Sequence, residues 1–196
     1  KWVGMGLSIQ ARLLKIALDH KLDMRLSAPV TDLIEEGGRV TGVVAQIGGR
    51  TVRIGARDGV LINAGGFSHN LAMRERHQPK PASVSWTSAN PGDTGEMIET
   101  AMRLGAAVDF MDEAVWNCAS VMPGGMLGAH VVDIARPHAI LVDQTGQRFC
   151  NEASYGARLG VEMCENHDGR AWLILDSRLR KAAFHEAFFG GLWAFQ

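Results

Sequence analysis

The chain lacks the features that mark membrane-spanning and nucleic-acid-binding proteins. No apolar stretch reaches the roughly 18 residues that a transmembrane helix needs, so no membrane span is expected. The formal net charge is −1 and no basic run occurs, which gives no support to a nucleic-acid partner. The three cysteines, Cys118, Cys150 and Cys164, are odd in number and lack Cys-x-x-Cys spacing. They predict reduced thiols in a cytoplasmic protein, without a disulfide framework or a metal site.

Signatures of hydrolases and of P-loop proteins are also missing. The sequence has no Gly-x-Ser-x-Gly elbow and no Walker-type loop, and its seven histidines show no metal-ligand spacing. The chain opens on Lys1, without an initiator methionine or a signal-peptide pattern, and stops just after the apolar residues 188–193. Because a natural terminus is usually polar, we expect an internal piece of a longer protein.

Among the features that are present, residues 59–70, with the sequence GVLINAGGFSHN, are the most informative. A continuous apolar run predicts a strand buried on both faces, as in a parallel sheet. It ends on Gly65 and Gly66, where no Cβ prevents a ligand from approaching the backbone. In open α/β sheets dinucleotides bind at this end of the strands.

The remaining pattern predicts a mixed α/β fold in which a parallel sheet carries an inserted antiparallel β-meander. Apolar residues at helical spacing predict one helix over residues 7–20 and a second over residues 97–104, closed by Gly105. Glycine pairs at 37–38 and 48–49 each precede a β-favouring run and predict hairpin turns. Further short strands are predicted over residues 24–26, 30–34, 139–142 and 171–175. Residues 116–130 are rich in Gly and Met and show no clean periodicity, and this change in composition predicts a domain boundary near residue 113.

Residues 90–95, with the sequence NPGDTG, allow two interpretations. Asp93 followed by Glu96 predicts a capping box, which contributes about 1 kcal/mol at a helix N-terminus. Alternatively, Gly92 and Gly95 allow the start of the helix to lie against a ligand, with Asp93 and backbone N–H groups meeting its polar edge. The residues alone leave both open.

The segment 146–155 gathers polar and aromatic residues around Tyr155, the one tyrosine of the chain. Tyr155 is either a core residue with a bonded hydroxyl or a catalytic acid or base. Arg148 and Glu152 are equally compatible with an exposed ion pair of little energetic value. His69, beside the double glycine, either faces a ligand or lies in an exposed loop.

Taken in order, these motifs resemble one family. The segments that carry the resemblance are residues 28–33, 60–70, 90–95, 105–113, 140–152 and 172–176. They are similar to the middle of a flavoprotein of the fumarate reductase/succinate dehydrogenase superfamily, and within it to the 3-ketosteroid Δ1-dehydrogenase-like branch. The resemblance implies part of a Rossmann-like FAD-binding domain over residues 1–112. It further implies part of a substrate-binding, catalytic domain over residues 113–196.

The same resemblance implies a set of contacts to FAD. Val30 would contact the adenine through its backbone. Ala64, Gly65 and Gly66 would lie near the diphosphate, and Asp93 would help to hold the flavin. The glycine-rich strand-turn-helix of the family would precede Lys1.

For the chemistry, the resemblance implies desaturation of a small apolar ketone such as a 3-oxosteroid, with an electron acceptor that stays unknown. In the steroid branch, a tyrosine a few residues beyond the Asn-Glu pair takes a proton next to the ketone, while hydride passes from the neighbouring carbon to flavin N5. Gly156 occupies that position here and Tyr155 stands one residue earlier. Tyr155 is therefore the candidate catalytic residue and Gly156 a candidate substrate contact.

Two alternatives stay open. A fumarate reductase-like enzyme would need an arginine proton donor near position 156 and a histidine after the Met-Asp-Glu stretch. Gly156 and residues 116–118 do not supply these groups, and Arg158 is out of register. The second alternative is a truncated, catalytically silent flavoprotein module, which the glycine at position 156 favours.

Overall fold

A computed structural model describes residues 5–122, 125, 127–130, 134–154 and 156–178. The chain forms two compact units that divide between Ile62 and Asn63. The boundary near residue 113 concerns the domains of the complete family fold and stays a prediction.

The first unit contains helix α1 (Met5–Asp19) and three strands, β1 (Val30–Glu36), β2 (Arg39–Ile47) and β3 (Arg50–Gly55). The strands pair antiparallel in the order β1-β2-β3, and the predicted meander is confirmed. Both glycine pairs form the turns, with φ of +62° and +79° in the first and +57° and +77° in the second. Only glycine adopts two successive left-handed conformations without strain, which explains the repeated motif.

Two predicted strands of this part of the chain are wrong. Residues 24–26 form no strand, and Leu26 is exposed. Residues 60–64 are also irregular, and the Leu61 side chain is 92% exposed. A strand needs a neighbour for its backbone hydrogen bonds, and no described residue pairs with this segment. The apolar composition of this segment favours a strand, but the described residues provide no neighbouring strand for it to pair with.

Among its described residues, the second unit holds three helices and two two-stranded antiparallel sheets. The helices are α2 (Leu71–His77), α3 (Glu96–Arg103) and α4 (Gly156–His167). The sheets pair β4 (Ala119–Val121) with β5 (Leu127–Ala129) and β6 (Ala139–Val142) with β7 (Trp172–Leu175). A 3₁₀ turn spans Val84–Trp86. The mixed α/β fold class is confirmed, but all strand pairs among the described residues are antiparallel, so the predicted parallel sheet is not seen there.

The core of the second unit lies between α4 and the β6–β7 sheet. Ile134, Leu141 and Leu159 are buried there, and Phe149 and Leu173 pack against them. The strand predicted at 171–175 is present, although the outward-facing side chains of Trp172 and Ile174 are exposed rather than buried. The end of α3 is as predicted, because Gly105 has φ of +91° and donates its N–H to the Met102 carbonyl.

None of the helices described by the structure is long and apolar enough to cross a membrane.

Gly42 provides a test of the meander. It faces Gly55 across the β2–β3 pair, and a Cβ at position 42 would overlap the Ile54 carbonyl oxygen. A Cβ at Gly55 would be no closer than 4.0 Å to its nearest neighbour. We expect Gly42→Ala to lower the free energy of unfolding by about 1–3 kcal/mol through overpacking. The matched Gly55→Ala should change it by less than about 0.5 kcal/mol. Urea unfolding of both variants measures the difference, and equal effects would contradict the register of the β2–β3 pair.

Candidate functional site

Two loops of the second unit are fastened together by hydrogen bonds. We call residues 63–70 the glycine loop and residues 90–95 the Asp93 loop. The His69 backbone N–H donates to the Asp93 carbonyl at 2.9 Å, and the Asn70 side-chain amide donates to the Thr94 carbonyl at 2.9 Å. Asn70 also caps α2, because its Oδ1 accepts the Met73 N–H. The helix therefore fixes both loops at its N-terminus.

Gly65 and Asp93 touch within this pair of loops. Gly65 has φ of +78°, and a Cβ there would overlap the Asp93 carboxylate. Ala64 and Gly65 are exposed and Gly66 is half-buried. Among the described residues, the backbone N–H groups of Gly65 and Gly66 donate no hydrogen bond. The structure thus brings four of the predicted cofactor residues together, whereas Val30 lies in the first unit.

The capping interpretation of the Asp93 loop is wrong. Asp93 is not the N-cap of α3: Gly95 holds that position with φ of +81° and no side chain caps the helix. At Gly95 a Cβ would be 2.5 Å from the Met73 sulfur and 2.8 Å from Phe67 Cβ, and the interpretation that the start of the helix lies against a ligand stays a prediction. The glycine allows close packing between protein segments. His69 similarly bonds the Ala89 carbonyl through Nε2 at 3.1 Å and connects two loops.

A cavity of about 430 Å³ opens beside the glycine loop. Its walls include Gly66, Phe67, Trp86 and Trp116, so aromatic and apolar surface predominates close to the two glycines. The buried Arg74 also lines it, and its guanidinium donates to the Ser83 carbonyl at 2.5 Å. We call this space the glycine-loop cavity.

A second cavity, of about 440 Å³, adjoins the first at Trp116. Val115, Trp116 and Asn117 line both spaces. We call this one the Trp116 cavity. Its size and largely apolar lining are those of a site for a small organic molecule.

Glycines on α4 hold Trp116 in this position. A Cβ at Gly160 would overlap the Trp116 side chain, and a Cβ at Gly156 would be 2.7 Å from the Trp116 carbonyl oxygen. Gly156, the candidate substrate contact, does line the Trp116 cavity. Tyr155, the candidate catalytic residue, lies outside the described residues.

Glu152 is buried at the Trp116 cavity, with 6% of its side chain exposed. Its carboxylate accepts two hydrogen bonds from Arg148, at 2.6 Å and 3.1 Å, and one from the Leu141 N–H at 2.8 Å. The Arg148 hydrogen bonds lower the pKa of Glu152 to about 2, and the Leu141 N–H acts in the same direction. The expectation of an exposed, weak ion pair is therefore wrong for the carboxylate.

The cysteines of this region are free thiols with raised pKa values. Burial raises the pKa of Cys118 to about 11, and burial together with the Glu152 charge raises the pKa of Cys150 to about 11. Neither is therefore an activated nucleophile at neutral pH. Within the part of the chain that the structure describes, no cluster of three or more His, Cys, Asp or Glu residues could hold a metal ion.

Sequence reasoning missed three residues of the site: Arg74, Trp116 and His130. His130 lines the Trp116 cavity, and its Nε2 lies 2.8 Å from the Ser120 hydroxyl. The β4–β5 pairing brings the two together by placing Ala119 opposite Ala129. Strands of three residues have no detectable period, so no sequence signal pointed to this pair.

A glycine-rich loop beside two adjoining cavities is typical of a protein that binds a nucleotide cofactor next to a small molecule. Comparison with known families agrees: residues 2–190 match the FAD binding domain family, and the chain belongs to that family. FAD is the cofactor of the family, and the relatives below are oxidoreductases that act on CH–CH groups.

Among curated proteins, the chain is 32% identical over 192 residues to 3-oxosteroid 1-dehydrogenase of Mycolicibacterium smegmatis, covering 91% of the chain and 34% of the relative. Among solved structures it resembles 3-ketosteroid delta1-dehydrogenase of Sterolibacterium denitrificans, with 39% identity, a TM-score of 0.78 and coverage of 86% and 32%. It also resembles 3-ketosteroid-delta4-(5alpha)-dehydrogenase of Rhodococcus jostii, with 28% identity, a TM-score of 0.60 and coverage of 85% and 33%. The chain thus spans about a third of these relatives.

The Glu152 cluster yields a prediction about pH. The lowered pKa of the folded state means that the ionised carboxylate stabilises the fold above pH 4.5, and that this stability is lost as the pH falls through about 2. We expect Glu152→Gln to be less stable than the wild type by about 2 kcal/mol at pH 7 and nearly equal to it at pH 2. Exposed Glu165→Gln is the control. Urea unfolding between pH 2 and 7 gives the free energy of unfolding at each pH. A difference between the wild type and Glu152→Gln that stays constant over this range would contradict the buried pair.

Proposed function

We propose that the protein is part of an FAD-dependent dehydrogenase that introduces a C=C bond next to the carbonyl of a 3-oxosteroid or a similar apolar ring ketone. The observation that carries the proposal is the shared wall of two cavities. Val115, Trp116 and Asn117 line both the glycine-loop cavity and the Trp116 cavity, so a cofactor in the first would adjoin a substrate in the second. The names of the relatives supply the substrate class.

The residues of the glycine loop fit FAD. Gly65 and Gly66 offer backbone N–H groups without a Cβ, as a diphosphate requires, and Ala64 extends the same exposed segment. Asp93 would help to hold the flavin, and Val30 would contact the adenine through its backbone. When bound, FAD supplies the hydride acceptor of the reaction.

The walls of the Trp116 cavity favour an uncharged substrate. The described residues that line it include no arginine or lysine, and Arg158 on α4 is exposed and lines neither cavity. A dicarboxylate such as fumarate would require cationic partners, because burying an unpaired charge is costly. A ketone needs only a polar contact for its oxygen, and Asn117 and Ser154 line the cavity as uncharged polar residues. This supports the ketone over the fumarate reductase-like alternative.

A test of substrate class uses the FAD-loaded product of the reading frame that contains this chain. We expect 4-androstene-3,17-dione to bleach the flavin absorbance near about 450 nm under anaerobic conditions, because the steroid reduces the oxidised flavin ring. Fumarate should leave a dithionite-reduced sample unoxidised. Oxidation by fumarate together with no bleaching by the steroid would favour the reductase. A protein that takes up no FAD would instead be the silent module.

A test of the cofactor site replaces Gly65 by alanine. The new methyl group would meet the Asp93 carboxylate at a backbone φ that alanine tolerates poorly, so we expect the Kd for FAD to rise about tenfold or more, the equivalent of roughly 1.4 kcal/mol. Gly146→Ala is the matched control, because Gly146 has φ of +83° in a turn with open space around it. Quenching of flavin fluorescence on titration of the apoprotein gives both constants. Unchanged affinity in Gly65→Ala would reject this assignment.

A further inference from the structure

Arg74 is a buried cation without a counter-ion among the described residues. It lies on α2, is 5% exposed and lines the glycine-loop cavity. Glu113 also lines this cavity, but it is exposed and forms no ion pair with Arg74. Burial lowers the pKa of Arg74, and the group that opposes this effect is the Cys164 thiol. Burial raises the pKa of that thiol, so it is protonated near neutral pH and supplies no compensating charge.

Neutral groups hold the Arg74 guanidinium in place. Its Nη1 donates to the Ser83 carbonyl at 2.5 Å and lies 3.5 Å from the Ser68 carbonyl, and its Nε donates to the Gln78 side-chain oxygen at 2.9 Å. Its Nη2 has no acceptor among the described residues. These bonds orient the guanidinium, but neutral oxygens do not cancel its charge. Because an unpaired buried charge is costly, the arrangement favours a negatively charged ligand in the glycine-loop cavity.

The walls of the glycine-loop cavity indicate which part of FAD would meet this charge. Phe67, Trp86 and Trp116 line the cavity, and a flat ring packs well against aromatic side chains. Trp116 also lines the Trp116 cavity, where the substrate is proposed to bind. Hydride transfer requires the flavin ring to lie next to the substrate. The ring, and not the diphosphate, is therefore the part of FAD expected beside Arg74.

We propose that the Arg74 guanidinium faces the flavin ring in the glycine-loop cavity and stabilises the negative charge that the reduced ring carries. This inference rests on the proposed dehydrogenase function and assigns the residue that tunes its cofactor. A C–H bond of the substrate breaks, an N–H bond forms at flavin N5, and the two electrons that arrive leave one negative charge on the N1–C2=O edge. The other hydrogen of the substrate leaves as a proton to the solvent. A fixed cation beside the ring favours its reduced form over its oxidised form.

The experiment measures how tightly the protein holds reduced FAD relative to oxidised FAD. The FAD-loaded product of the reading frame that contains this chain is reduced anaerobically beside a reference dye, and the midpoint potential reports the ratio of the two Kd values. We expect Arg74→Gln to shift this ratio against the reduced form by about tenfold or more, which for two electrons is about 30 mV toward negative potential. Arg74→Lys keeps the charge and should keep the wild-type ratio.

Arg76→Gln is the matched control, because Arg76 lies on the same helix, is exposed and lines neither cavity. It should leave the ratio unchanged. An unchanged ratio in Arg74→Gln would overturn the assignment, and a higher Kd for both forms of FAD would then indicate a contact to the diphosphate. Equal shifts in Arg74→Gln and Arg74→Lys would also overturn it, because they would show that the hydrogen bonds of Arg74 matter and its charge does not.

Sulfite provides a second measurement that needs no variant. The sulfur lone pair of sulfite forms a bond to N5 of an oxidised flavin and leaves a negative charge on the ring. We expect the wild-type protein to bind sulfite about 10²-fold more tightly than free FAD does, measured as loss of flavin absorbance. Failure to form this adduct would overturn the inference even if Arg74→Gln does not fold. A protein that takes up no FAD would refute the proposed function as well, whereas FAD uptake without these effects would refute the assignment of Arg74 alone.

Discussion

The second unit depends on the contact between Trp116 and the glycines of α4. The Trp116 indole packs against Gly160, and the Trp116 carbonyl oxygen lies against Gly156. Neither contact leaves space for a methyl group. A close approach of this kind is available only where the helix has no Cβ. Because Trp116 lines both cavities, the helix fixes a side chain that the two cavities share.

The sequence predicted elements whose cause is local. The two glycine-pair turns of the meander, helix α3 with Gly105 at its end, and strand β6 all follow from turn chemistry and short-range periodicity. The sequence did not predict features that depend on contacts with residues far away in the chain. Residues 60–64 have the composition of a buried strand, yet burial needs neighbouring strands that composition does not specify. The cap assigned to Asp93 failed for the same reason, since contact with Gly65 decides its position.

The candidate site was predictable in part because some of its residues form motifs and others do not. The glycines and Asp93 stand in short, recognisable segments, and the structure places Asp93 against Gly65, while their roles at FAD stay predictions. Glu152 was noticed, but its burial comes from Leu141 on a strand eleven positions earlier. His130 belongs to no motif. Only the pairing of two three-residue strands places it in the Trp116 cavity beside the Ser120 hydroxyl.

The exposed segment 60–64 has a consequence for handling the chain on its own. It presents valine, leucine and isoleucine in succession, without a charge or a proline, as backbone that no described residue pairs. Segments of that composition act as templates on which a strand of another molecule can add. Association through this segment would grow with protein concentration and would be suppressed by a charged residue at position 61. This unpaired apolar segment therefore limits the solubility of the chain, because a net charge of −1 provides little repulsion between molecules.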